Sequence, residues 1–175
     1  MTIRKATMQD AQGIAKVHVD SWRTTYKGIL PSSFLDNLSY VKREELWRNN
    51  IAVEKNVVLV AENEKGEIVG FADGATRETN LVPNASDLTT IYLLEQYQGR
   101  GIGKKLLKEM MLSFKERQFQ TIYVDVLADN KTRYYYEYYG AEYVKSVPLT
   151  IGGTVVEEAI YVWKDVNAVI EKLSK

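Results

Sequence analysis

The chain has 175 residues, 45% of them apolar, which is enough to bury one substantial core and too few for two independent ones. Lys plus Arg balances Asp plus Glu at 23 each, so no global field draws in nucleic acid or an anionic membrane, and a charged ligand needs a local cluster. No Cys and a single His exclude disulfides, thiolate metal sites, a cysteine nucleophile and a histidine metal cage; no metal is expected.

The first residues, Met1-Thr2-Ile3-Arg4-Lys5, lack the apolar segment of a signal peptide, and the longest aliphatic run, Val57 to Ala61, is far too short to span a bilayer. A cytoplasmic protein with no membrane and no nucleic-acid partner is expected. Thr7 followed by Asp10 resembles a capping box, and Ala11, Ile14, Ala15, His18 and Trp22 then recur at helical spacing, predicting a helix to about Tyr26. Gly28 and Pro31 interrupt it. Ser32 or Ser33 is placed to cap a short helix, before a longer one from Lys42 to Val53. Asn56 to Glu62 reads as a buried strand, and Glu64-Lys65-Gly66-Glu67 turns it into a second strand, Ile68 to Thr76. The polar stretch from Asn80 to Ser86, containing Pro83, reads as a loop. A strand from Leu88 to Leu94 follows, then a glycine turn and a helix from about Gly101 to Arg117, with Ile102, Leu106, Leu107, Met110, Met111 and Phe114 on its buried side. Thr121 to Leu127 is a strand, and Lys131 to Tyr139 a short aromatic helix stopped by Gly140. Two strands, near Glu142 to Thr150 and Thr154 to Lys164, flank Gly152-Gly153, and a last helix begins at Asp165. The expected fold class is α/β (α+β): one domain over residues 1–175 around one mixed sheet, with a homodimer through the terminal strands left open.

A strand that ends in a glycine-rich turn opening a helix is suited to phosphate. The first N–H groups of the helix lack internal partners, its dipole presents partial positive charge, and glycine lets the ligand approach the backbone. A P-loop needs four residues between its first Gly and Gly-Lys, followed by Ser or Thr; Gly99 to Gly103 encloses three, and Lys105 stands at the hydroxyl position. A dinucleotide fingerprint needs a third Gly, and Gly101-Ile102-Gly103-Lys104-Lys105 leads to Leu106 instead. Gln98, Gly101 and Gly103 do match Gln-x-x-Gly-x-Gly, and on these residues the chain resembles the GNAT superfamily of N-acetyltransferases.

The resemblance implies a strongly twisted mixed sheet of about seven strands flanked by helices, with acetyl-CoA as co-substrate. It assigns the backbone of Ile91, Tyr92 and Leu93 to the pantetheine arm and Gly99, Arg100, Gly101, Ile102, Gly103 and Lys104 to the pyrophosphate, with Gln98 also among the cofactor-binding residues and Arg100, Lys104 and Lys105 supplying charge. Downstream, Asn130 and the Tyr136-Glu137-Tyr138-Tyr139-Gly140 register look like the family's Asn...Tyr-x-x-x-Gly segment, which puts Asn130 on the cofactor and Tyr136 at the sulfur. Many members have Gly-Phe where this chain has Gly140-Ala141. The Trp22...Tyr26...Gly28...Leu30-Pro31 stretch is similar to that of many bacterial members.

Amine attack on a thioester needs an unprotonated nucleophile, a stabilised oxyanion and a proton for the departing thiolate. An alkyl amine of pKa near 10.4 must lose about 3 units, roughly 4 kcal/mol, to desolvation or a base. Asp87, where some relatives carry a catalytic Glu, is the expected base; the amide of Leu93 would face the oxyanion, and Tyr136 would donate to sulfur. Tyr135, Tyr136 and Tyr139 share a helical face, so packing is the competing role for this run. His18 reads as a core or pocket-wall residue with acceptor contact as the alternative, and Trp22, Arg23 and Tyr26 as acceptor-mouth or core residues. The expected activity is acetylation of a small-molecule or peptide amine. A non-catalytic acyl-CoA-binding module is the alternative, and a Ser/His18 hydrolase ranks last because the chain has no Gly-x-Ser-x-Gly elbow.

Overall fold

The computed structural model describes residues 1–77 and 81–175. Its elements run β1 (Thr2–Lys5), α1 (Ala11–Thr25), α2 (Ser32–Asp36), α3 (Tyr40–Ala52), β2 (Val57–Glu62), β3 (Ile68–Ala75), β4 (Ala85–Leu93), α4 (Ile102–Glu116), β5 (Thr121–Leu127), α5 (Thr132–Tyr138), β6 (Glu142–Ile151), β7 (Thr154–Trp163) and α6 (Val166–Ser174), with short 3-10 turns at Met8–Asp10 and Glu95–Tyr97. The strands form one mixed sheet in the order β1-β2-β3-β4-β5-β7-β6, antiparallel except where β4 and β5 run parallel.

Helices α4 and α6 cover one face: Leu106, Leu107, Met110, Met111 and Phe114 pack with Leu88, Ile122 and Val124 of the sheet and with Val169 and Leu173 of α6. The opposite face carries α1 and α3, where Ile14, Ala15, Val17 and Trp47 meet Val58, Val60 and Phe71. Covered on both sides, β2 is an unbroken apolar run rather than an alternating one. A third cluster ties the α1–α2 corner (Tyr26, Leu30, Leu35) to Leu127 of β5 and to the far end of the β6–β7 hairpin.

The chain entry into α1 is built on Asp10. Its carboxylate accepts from the Thr7 amide (2.7 Å) and hydroxyl (3.1 Å) and from Arg4 (2.8 Å), and Arg4 also bonds Glu62, so one guanidinium clamps β1, β2 and the start of the helix.

Three expectations change. Strand β1 has no counterpart among the predicted elements. It is four residues long, and its pairing with Leu59–Glu62 is read through backbone hydrogen bonds, which local composition does not report. The loop expected from Asn80 to Ser86 ends earlier, because Ala85 and Ser86 pair with Thr121 and Ile122 of β5, a long-range contact that overrides their polarity; Asn80 itself lies outside the described residues. Neither Ser32 nor Ser33 caps α2: Pro31 is its cap residue, Ser32 is already helical, and the serine that does cap a helix is Ser39, which accepts from the Lys42 amide at 3.2 Å. Among the described residues no helix is long and apolar enough to cross a membrane, and no group of three His, Asp or Glu is placed to hold a metal ion.

Candidate active site

The site begins where pairing stops. Strands β4 and β5 share four residue pairs, Ala85–Leu88 with Thr121–Val124, after which β4 continues to Leu93 and β5 to Leu127 without each other. The opening between them is a cavity of about 510 Å³, lined by Thr89 to Leu93 of β4, Asp125 and Val126 of β5, Thr25 at the end of α1 and Tyr26 just after it, Gln98, Gly99, Gly101, Gly103 and Lys104 of the glycine turn, and Asn130, Thr132, Tyr135, Tyr136 and Tyr139 around α5.

Backbone direction along β4 follows from two hydrogen bonds. The Leu94 amide donates to Val69 in β3 (2.9 Å), so the strand's alternation turns the amide and carbonyl of Leu93, and those of Ile91, to the opposite, unpaired edge. Gln98 Nε2 donates to the Leu93 carbonyl (3.1 Å), leaving the Leu93 amide as the donor facing the opening. Tyr92 points its main chain at β3 instead. It was expected to present backbone to a ligand, and it presents its phenol.

At one end of the cavity the chain enters α4 through Gly101, at φ 76°, a left-handed conformation that a side chain makes costly. The first backbone bond of α4 runs from Lys105 to Gly101 (3.1 Å), so the amides of Ile102, Gly103 and Lys104 have no helical partner. A Cβ on Gly103 would find only the Tyr135 hydroxyl, at 3.8 Å. The backbone there is bare. Two residues predicted for this turn stand off the cavity: Ile102 is buried in the core on α4, and the Arg100 guanidinium lies over the Tyr97 ring (5.5 Å).

Toward the other end phenols gather. The Tyr26 and Tyr92 hydroxyls are hydrogen-bonded (3.2 Å), Asn130 reaches the Tyr26 hydroxyl, and the Asn130 carbonyl oxygen accepts from the Thr132 amide (2.9 Å). Tyr136, buried and packed edge-on against Trp163 (5.6 Å), is in the same lining. Burial pushes the Tyr26, Tyr92 and Tyr136 phenols above their usual value, so each remains a protonated donor.

Three other expected site residues are elsewhere. His18 is enclosed by Trp22, Trp47, Phe71 and Tyr92, all with ring centroids within 5.8 Å, and its Nδ1 accepts from Trp47 Nε1 (3.0 Å). Burial pushes the imidazole down to about 3, so it is a neutral core group and does not line the cavity. Trp22 packs against Tyr26 (4.8 Å) and Phe34, one layer behind the lining. Asp87 is buried and set against Arg77 (Oδ1 to Nε 3.3 Å), which also bonds Asp125 (2.7 Å); of these two carboxylates only Asp125 reaches the cavity wall. Arg23, a further residue of the α1 stretch, donates to the carbonyls of Leu35, Asp36 and Leu38 and so fastens the α2 corner.

Sequence reasoning did not single out Thr89, Thr90, Asp125 or Asp73. Asp73 sits on β3 across from Thr90, whose hydroxyl donates to its carboxylate. The signal was present: an Asp inside the otherwise apolar strand Ile68–Ala75 must find a partner or a purpose.

The whole chain is 34% identical over 175 residues to the uncharacterized N-acetyltransferase YuaI of Bacillus subtilis (strain 168), covering 99% of that protein. It is 26% identical over 111 residues to the spermidine N(1)-acetyltransferase of Thermoplasma acidophilum, across 61% of this chain and 66% of that one. The fold superposes with TM-score 0.76 on a crystal structure of the PaiA N-acetyltransferase from Thermoplasma acidophilum in complex with coenzyme A, at 23% identity and covering 93% of this chain and 98% of that one. Residues 19–140 match the acetyltransferase (GNAT) family model, and with the splayed β4–β5 seam, the glycine turn and the full-length relative in agreement, the chain belongs to the GNAT family and is an N-acetyltransferase.

Proposed function

We propose that the chain transfers the acetyl group of acetyl-CoA directly to a primary amine of a small molecule or peptide through a tetrahedral intermediate. The observation that carries this reading is the seam that ends after four residue pairs, because it leaves a strand edge, a bare helix start and a protonated phenol along one cavity. The pantetheine arm has the β4 edge to pair with, the amides of Ile91 and Leu93 acting as the partners a neighbouring strand would have supplied. The unpartnered amides of Ile102 to Lys104 suit the pyrophosphate, with the Lys104 side chain beside them. Asn130 and the Tyr26 hydroxyl border the thioester end.

In this arrangement the Leu93 amide faces the acetyl oxygen and stabilises the oxyanion as the amine adds. Tyr136, held protonated by burial, donates to the sulfur as the carbon–sulfur bond breaks. A phenol so hard to ionise is a poor donor of an unreplaced proton, so it hands one to sulfur while taking the surplus proton from the nitrogen of the adduct. No covalent enzyme intermediate is required, in keeping with a chain that has no Cys. A small-molecule acceptor such as a polyamine is in line with the spermidine acetyltransferase relative.

The test is thiol release from acetyl-CoA over a panel of polyamines, alkyl amines and free peptide N-termini. Tyr136→Phe is expected to lower kcat about a hundredfold while calorimetric acetyl-CoA affinity changes less than about threefold. Unchanged turnover removes Tyr136 from the mechanism.

A further inference from the structure

The amine must shed a proton before it attacks. The three phenols are protonated, His18 is walled off, Asp87 lies against Arg77 away from the cavity, and Asp125, at the cavity wall, is already ion-paired with Arg77 (2.7 Å). One further carboxylate, with no cation beside it, has a path. Asp73 is 3% exposed, and its Oδ1 accepts the Thr90 hydroxyl proton. Thr90 is itself a cavity residue. Opposite Asp73 on β2 stands Val58, and among the described residues no Lys, Arg or His lies within salt-bridge distance of it. Burial raises Asp73 to about 6, opposed only by hydrogen bonds from Thr90; no charged group of β2, β4 or α1 contributes.

The strand register explains why Thr90 connects the two. Asp73 pairs with Thr90 but Gly74 pairs with Leu88, so Thr89 is an extra residue on β4. Leu88 and Ile91 both pack toward α4, and the inserted residue shifts the alternation so that Thr90 shares the face of Tyr92, on the α1 side where the cavity opens. Without the bulge the hydroxyl would be aimed into the α4 core. A buried carboxylate with no cation beside it is costly to a fold, and it sits one hydroxyl away from the space an ammonium must enter.

We propose that Asp73, acting through the Thr90 hydroxyl, holds the acceptor ammonium and takes up the proton it gives before attack. This rests on the reading of the chain as an amine acetyltransferase and names its positioning residue and the charge state of its acceptor. Having donated its hydrogen to Asp73, Thr90 Oγ1 keeps lone pairs for an N–H donor. The ammonium passes one proton to Thr90 Oγ1 as the Thr90 proton moves to Asp73, leaving a neutral carboxylic acid and a free amine. The nitrogen then forms its bond to the acetyl carbon, the carbon–sulfur bond breaks, and the second nitrogen proton goes to sulfur by way of Tyr136. Asp73 releases its proton to solvent when the products leave. One ammonium and one thioester thus give one amide, one thiol and one proton.

The experiment uses the full chain with CoA bound, carboxyl-13C-labelled Asp, and n-butylammonium chloride as the probe, with Asp73 assigned by its loss in Asp73→Asn. The Asp73 resonance is expected to titrate above the ordinary carboxylate range and to move to lower pH as n-butylammonium is added. In turnover, Asp73→Asn and Thr90→Val are expected to lose about a hundredfold in kcat/KM with n-butylamine. With hydroxylamine, whose nitrogen is unprotonated at neutral pH, the loss shrinks to less than about tenfold; with n-butylamine the acid limb of the wild-type pH–rate profile is lost in Asp73→Asn and Thr90→Val and kept in Thr90→Ser. An Asp73 resonance indifferent to n-butylammonium overturns the proposal, as does equal loss with both nucleophiles or a larger effect of Asp87→Asn with Asp73→Asn unchanged. Calorimetry with acetyl-CoA on the same proteins separates the two levels: a wild-type chain that binds no acetyl-CoA refutes the functional reading, while the resonance shift still decides whether Asp73 meets an ammonium.

Discussion

Gly103→Ala separates folding from ligand binding at a single atom. Gly103 has ordinary helical geometry in the first turn of α4, and a Cβ there would stand 3.8 Å from its only neighbour, the Tyr135 hydroxyl. The free protein has room for the methyl group. Alanine also restricts the unfolded chain and favours the helix, an effect of about 0.5–1 kcal/mol, taken at its lower end so close to the helix start. For a chain of this size that is a rise of roughly 1–3 °C in melting temperature. The same methyl group projects into the space assigned to the pyrophosphate. Displacing the phosphates from even one or two main-chain amides costs about 1.5–3 kcal/mol, or roughly a ten- to hundredfold weaker Kd. Differential scanning fluorimetry without ligand and isothermal calorimetry with acetyl-CoA read the two effects separately. A variant that is more stable and binds weakly supports the assignment; one that binds acetyl-CoA as tightly as the wild type shows that the pyrophosphate does not rest on this backbone.

The remaining predictions concern stability. His18 is pushed down to about 3 from 6.5, so the unfolded chain takes up its proton first as the pH falls, and stability declines from about pH 6.5 toward 3 by up to about 1.4 kcal/mol per unit. His18→Asn keeps an acceptor for Trp47 Nε1 and is expected to flatten that slope in urea titrations at pH 4 to 7, though it lowers stability at neutral pH through lost ring packing; an unchanged slope refutes the buried neutral imidazole. Asp73 has the opposite sign: with its folded value raised to about 6, its favourable contribution is complete below about 3.8 and lost as the pH rises through 6. Asp73→Asn, which retains the acceptor for Thr90, is therefore expected to be more stable than wild type by about 1–3 kcal/mol at pH 7.5 and equal to it near pH 3.5, measured by urea denaturation. A Cβ on Gly74 would come within 2.7 Å of Phe114 Cε1 and 2.9 Å of Met110 Cε, so Gly74→Ala is expected to lose about 1–3 kcal/mol by overpacking, seen as a lower melting temperature with acetyl-CoA affinity retained after folding.

What composition and spacing revealed was local. The glycine turn could be found because its requirement for bare backbone is written in three alternate positions, Gly99, Gly101 and Gly103, and the helix after it because Leu106, Met110 and Phe114 repeat with its turn. The bulge at Thr89 could not, since it exists only in the comparison of β3 with β4. The choice of Asp87 as base failed to anticipate Arg77, ten residues away along the chain and brought beside it by strand pairing. His18 sits on an apolar helical stripe, but whether its ring met a cavity or a cage depended on α3, β3 and β4 together, and Trp47 from α3 supplied the hydrogen bond that fixes its tautomer. Functional geometry here is assembled from pairs of elements, and single-element patterns report only half of each pair.

The four-pair seam also sets how the molecule holds together. Strands β5, β7 and β6 are joined to the rest of the sheet by that short ladder and by helix packing, so this half can swing or loosen at lower free energy than the continuous β1–β4 half. A cofactor lying along the gap would bridge both halves like a missing strand, at a gain of about 2.7 kcal/mol when present at a hundred times its Kd. Amide exchange in β5 should then slow most on loading, and the enzyme would be mechanically whole only while charged.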